Sequence, residues 1–162
     1  MSPDFILMND DFFVVRPVDE IETMHRGPVS LLLADIRAQV GLSQYALGMR
    51  ETLRVLSARG IAEPVSYALH TPMVMNKYRL LSTLDTCDRI RDPKVKATDL
   101  RTMYGNLWAI GGRQVDDVKI HRHRSELTWD APYVSTAPET WNSSRTDFIR
   151  DLFPDPCRYE AA

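Results

Sequence analysis

Short apolar runs separated by acids and turn residues set the pattern of this chain. Phe5-Ile6-Leu7-Met8 is followed by Asn9-Asp10-Asp11 and then by Phe12-Phe13-Val14-Val15. A continuous apolar run of this length predicts a buried strand with the acids at its C-terminal edge, the edge where open α/β sheets take their ligands. Pro17 lacks a donor and holds Arg16 extended, so a loop begins there. Tyr45, Leu47, Met49, Leu53, Val55 and Leu56 recur at a mostly helical spacing, which predicts a helix over 42–60 that stops at Gly60. Val65-Ser66-Tyr67-Ala68-Leu69 alternates and predicts a second strand, ending in the polar turn His70-Thr71-Pro72. Helices are expected over 73–84 and over 97–110, the latter capped by Thr98 and closed by Gly111-Gly112, with an exposed charged loop over 88–96. Residues 115–129 read as extended, 133–136 as a strand, and 144–153 as a helix with Phe148, Ile149, Leu152 and Phe153 on one face. The alternation of strands with helices predicts a mixed α/β fold.

Length and charge narrow this picture. With 162 residues the chain is expected to form one domain over 1–162. Its 20 basic and 22 acidic residues leave a formal charge of −2 without a block of one sign, which argues against a nucleic-acid partner held by bulk charge. The longest apolar runs, such as Val29 to Ala34, are far shorter than the roughly 20 residues of a membrane span. The N-terminus has no basic n-region, and Cys87 and Cys157 are far apart and match no CxxC pair, so reduced thiols in a cytoplasmic protein are expected.

Few residue groups carry candidate chemistry. Asp10 and Asp11 at a strand end offer oxygen ligands for a hard divalent cation that bridges a diphosphate, although acid pairs are also common turn and cap residues. Successive strand residues face opposite ways, so only one of the two Asp is expected to face such a site. His70 suits a general base or a ligand, and equally a hydrogen-bonded loop residue. Arg89, Arg91, Lys94, Lys96 and Arg101 are either a phosphate clamp or a solvated charged loop. His121 and His123 share a strand face without further ligands and read as a basic ribbon; Asp116-Asp117 reads as a turn, and Asn142 or Ser143 as the cap of the last helix.

Taken in order, three blocks carry a resemblance. The hydrophobic, Asn9-Asp10-Asp11, hydrophobic block, the histidine block at His70-Thr71-Pro72 and the closing Phe153-Pro154-Asp155-Pro156-Cys157-Arg158-Tyr159-Glu160 together resemble the Stealth-type sugar-phosphate transferases, in a short form similar to proteins of phage genomes. Cys157 stands where that family usually has Ser. The resemblance implies a GT-A-like (Rossmann-like) α/β domain that transfers a sugar or sugar phosphate from a nucleotide-sugar donor to a glycan or other hydroxyl acceptor. It implies Asp10 and Asp11 as ligands of Mg²⁺ or Mn²⁺, Asp11 and His70 as catalytic residues, and Asn9, Lys96 and Arg101 as contacts of the donor phosphates. Lys96, with Arg101 as the competing match, stands where the family usually has Arg.

In that family roughly a hundred residues of nucleotide-binding βαβ structure precede the Asn-Asp-Asp strand, and here only eight residues precede Asn9. The chain is therefore expected to be a C-terminal portion of such a domain, a subunit completed by a second chain, or a non-catalytic remnant that binds glycan or a partner. A two-metal phosphoesterase is disfavoured by the small number of histidines.

Overall fold

The computed structural model describes residues 2–40, 43–120, 130–140 and 147–155. Among them the chain is mixed α/β, with small sheets and five helices. The residues gather into two compact units whose segments alternate along the sequence. The first takes Met1–Leu7, Ile21–Leu69 and Met73–Val115, and the second takes Met8–Glu20, His70–Pro72 and Asp116–Ala162. No described helix is long and apolar enough to cross a membrane.

In the first unit, β1 (Asp4–Leu7) pairs antiparallel with β4 (Met73–Asn76), Phe5 opposite Met75 and Ile6 opposite Val74. The apolar run at the N-terminus is thus a strand, but not a fully buried one. Leu7 turns with Met73 and Met75 toward Tyr67 and Tyr104, while Ile6 is 53% and Val74 46% exposed. This is the half-buried alternation of a strand covered on one side. The helix expected over 73–84 differs in the same region. Its first four residues are β4, because Met73 and Met75 point inward with Val74 outward, and α3 (Lys77–Ile90) starts only where Asn76 accepts from the amides of Tyr78 and Arg79.

A short parallel pair, β3 (Met24–His25) with β5 (Arg113–Gln114), leads toward α1 (Val29–Val40). Val29, Leu32, Leu33 and Ile36 line one face of α1 against Met49 and Leu53 of α2 (Gln44–Ala58). Ser43 caps α2 by accepting from the Ala46 amide, and Gly60 follows with φ +84°, as the sequence predicts for a helix ending there. Val55, Leu56, Cys87 and Met103 join α2 to α3 and to α4 (Leu100–Leu107). The cap of α4 is Asp99 rather than Thr98, and the helix ends before the glycine pair, with Ala109 at φ +46°.

Residues 65–69 form no strand: Val65 makes one bridge with Pro28, Ser66 exchanges backbone bonds with Arg26 and Gly27, and the Leu69 amide donates back to the Tyr67 carbonyl. Side chains of α4 supply the bonds on either side of Ser66. Asn106 exchanges bonds with both backbone groups of Val65, and Thr102 accepts from the Tyr67 amide. Arg101, also on α4 and 8% exposed, donates to the carbonyl oxygens of Leu69 and Leu7. These are the last residues of two segments before the chain passes into the second unit.

The second unit is built on a three-stranded sheet of order β2 (Phe12–Val14), β7 (Tyr133–Thr136), β6 (Lys119–Ile120), antiparallel then parallel. Phe13, Val134 and Ile120 form the face packed on Ile149 of α5 (Asp147–Leu152). Of the four apolar residues expected to share the buried face of this helix, only Ile149 is buried; Phe148, Leu152 and Phe153 are exposed. The opposite face of the sheet carries Phe12, Ser135 and Lys119 in one row, with Ser135 in register with the other two.

Gly105 packs directly on Tyr67, so that a Cβ there would overlap the ring of Tyr67, whose hydroxyl donates to the Gly111 carbonyl. A Gly105→Ala variant is expected to lose about 1–3 kcal/mol of stability through this overlap. Thermal unfolding measures it, at about 2–4 °C per kcal/mol for a chain of this size.

Candidate functional site

A chain of polar side chains crosses the face of the second unit's sheet opposite Ile149. His70 follows the buried Leu69 and lies in the polar turn with Thr71 and Pro72. Its backbone amide donates to Asp117 Oδ1 at 2.9 Å, and its ring Nδ1 meets Asp117 Oδ2 at 2.7 Å. The Val118 amide also donates to Asp117 Oδ1. Asp117 is 8% exposed, so one buried carboxylate orients the histidine through both backbone and ring. Phe12 closes over the imidazole edge-on, with ring centroids 5.9 Å apart.

The tautomer follows from these partners. A carboxylate only accepts, so Nδ1 carries the proton, and Nε2 is left with its lone pair. That nitrogen lies 3.3 Å from Lys119 Nζ, an ammonium that only donates. Lys119 also donates to Asp11 Oδ2 at 3.1 Å, and the Ser135 hydroxyl donates to the same oxygen at 2.9 Å. Asp117, His70, Lys119, Asp11 and Ser135 are therefore one continuous network. Asp11 reaches it from the turn before β2, where the Thr136 amide donates to the Asp11 carbonyl.

Burial works to raise the Asp11 carboxyl. The bonds from Ser135 and Lys119, together with the positive charge of Lys119, outweigh that effect and hold the group below its ordinary value.

Of the residues singled out from the sequence, Asp11 and His70 are brought together here through Lys119. Asn9 and Asp10 are exposed in the same turn. Lys96 is exposed and belongs to the first unit, as does the buried Arg101, whose guanidinium braces the Leu7 and Leu69 carbonyls. His121, His123, Asn142, Ser143 and Cys157, with the closing block from Pro156 onward, lie outside the described residues. Sequence reasoning missed Asp117, which it took as a turn residue, and it missed Lys119 and Ser135. The signal was present in the alternation Asp117-Val118-Lys119-Ile120, where apolar and charged residues face opposite ways.

Among the described residues no group of three His, Cys, Asp or Glu gathers to hold a metal. The inner oxygen of Asp11 and the lone pair of His70 are both met by an ammonium. The space between those two atoms, filled by the ammonium, does not fit a divalent ion.

Because its folded-state pKa is depressed, Asp11 contributes stability that is present above its unfolded value of about 3.9 and is lost as pH falls through the lower folded value. An Asp11→Asn variant is expected to be less stable by about 1 kcal/mol at pH 7. Urea titrations against pH should show this gap closing in acid below the carboxylate range; a gap that persists there would contradict the assigned network.

No family model matches the chain, and no curated protein or solved structure is similar to it, so a functional reading rests on the residues of this network and on the order of the sequence blocks.

Proposed function

We propose that the second unit holds the reacting centre of a glycosyltransferase-like enzyme of GT-A type, which moves a sugar or sugar phosphate from a nucleotide-activated donor to a hydroxyl acceptor. The observation that carries this reading is the Asp117–His70 pair, with Nε2 unprotonated and adjacent to a cation. The order of the Asn-Asp-Asp, histidine and closing blocks supports it.

In this mechanism His70 Nε2 exchanges its bond from Lys119 for one from the acceptor hydroxyl, and takes that hydroxyl's proton as the oxygen forms its new bond to the sugar carbon or to phosphorus. The bond from that centre to the nucleotide's phosphate oxygen breaks, and the leaving nucleotide keeps the electron pair. Asp117 holds the imidazole in register and stabilises the imidazolium that forms. Lys119 offsets negative charge developing on phosphate oxygens.

A second reading is a non-catalytic module that binds glycan or a partner chain. It is favoured by the exposed Ile6–Val74 pair of the β1–β4 ribbon and by Tyr78 and Leu81 on α3, which are 70% and 54% exposed.

The test is a screen of UDP-, GDP- and CDP-sugars followed by ³¹P NMR, with kinetics on whichever donor turns over. A His70→Gln variant is expected to lose about 10²–10⁴ in kcat with little change in donor affinity, and Asp117→Asn to lose a substantial part of that. Full activity in His70→Gln would overturn the assignment of the base. Failure of every donor both to bind and to react would leave the binding module as the remaining reading.

A further inference from the structure

Around the Lys119 nitrogen the chain assembles what a bound cation ordinarily collects. A carboxylate oxygen of Asp11 lies at 3.1 Å and the imidazole Nε2 of His70 at 3.3 Å. Asp117 holds the far nitrogen of that imidazole at 2.7 Å, and Ser135 holds the Asp11 oxygen at 2.9 Å. A ligating imidazole backed by a carboxylate, beside a second, hydrogen-bonded carboxylate, is the arrangement that proteins use around zinc and its neighbours. Here the centre of that arrangement is occupied by the chain's own ammonium. Its placement follows from the sheet, since Lys119 stands in register with Ser135 on the face opposite the Val134–Ile149 core, and its side chain is 18% exposed.

We infer that Lys119 is a built-in cation. Its ammonium takes the position that a divalent ion would otherwise fill between Asp11 and His70, and it excludes such an ion. For the phosphate partner this inference rests on the proposed transferase reading; for the exclusion of metal it stands on the donor geometry alone. Two of the three ammonium protons are directed at Asp11 and His70. The third is the donor that a phosphate oxygen of an anionic substrate would accept, with lysine acting as a point charge. Asp11 then has two roles within one network: it anchors the ammonium, and through that ammonium it is linked to the base. Removing the lysine side chain exposes a carboxylate oxygen and a preoriented imidazole nitrogen to the same space, a pair that suits zinc better than magnesium.

Calorimetric titration with Zn²⁺, and separately with Mn²⁺, of the full chain, of Lys119→Ala, of Asp11→Ala and of the double variant tests this directly. The unsubstituted chain should show no metal binding that Asp11→Ala removes. Lys119→Ala, checked for folding by circular dichroism, should bind Zn²⁺ at least about tenfold more tightly, and adding Asp11→Ala should abolish the gain; tenfold corresponds to about 1.4 kcal/mol. Asp11-dependent binding of either metal by the unsubstituted chain would overturn the inference, and so would a folded Lys119→Ala without a gained site. Where Lys119→Ala does not fold, Lys119→Val, whose branched side chain suits a strand, takes its place with the same expected gain. No nucleotide sugar enters the experiment, so its outcome is separate from success or failure of the transferase proposal.

Discussion

The buried carboxylate of Asp117 is the constraint on which the site depends. It accepts from the His70 amide, from the Val118 amide and from the His70 ring, and so it joins the two chain segments that carry the site's histidine and its lysine. An acceptor buried this deeply is costly to leave unpaired. The same three bonds dictate the tautomer, and the tautomer determines that Nε2 presents a lone pair to Lys119. From that point the remaining contacts follow: Lys119 turns to Asp11, and Asp11 is secured by Ser135.

The sheet beneath this network separates structure from chemistry by its two-residue period. Phe13, Val134 and Ile120 face the core that α5 completes through Ile149, while Phe12, Ser135 and Lys119 face the other way. A shift of register by one residue would exchange the two sets. In the first unit, side chains do the work that a sheet does elsewhere. Asn106 satisfies the backbone of Val65 and Thr102 the amide of Tyr67, and Arg101 braces the carbonyls of Leu7 and Leu69. That arrangement makes α4, only eight residues long, the scaffold on which the extended segment ending at Leu69 is laid.

Much of this was legible in the sequence wherever one strong local rule applied. The strand over 133–136 and the helix ending near Gly60 follow directly from alternation and from a glycine cap. The rule failed where two signals competed. Met73 to Leu84 reads as one helix because its apolar spacing suits either period, and only the capping by Asn76 divides strand from helix. Residues 65–69 read as a strand and form none, since Thr102 and Asn106, which bond Tyr67 and Val65, lie some forty positions away. The helix over 29–40 went unread because Val29 to Ala34 was weighed only as an apolar run; its core face, Val29, Leu32, Leu33 and Ile36, has a plain helical spacing. At the site, Asp11 and His70 were visible as polar residues ending apolar runs. Asp117 was not, because an acid pair in a short segment looks like a turn, and its role depends on a partner 47 residues away.

The orientation of His70 is the central claim, and long-range ¹H–¹⁵N correlation spectroscopy of its imidazole tests it most directly. At a pH well above the ordinary imidazole value of about 6.5, the ring should be protonated at Nδ1 with no proton on Nε2, and Asp117→Asn should show a mixture of tautomers. A ring protonated at Nε2, or a tautomer indifferent to the loss of the Asp117 charge, would contradict it.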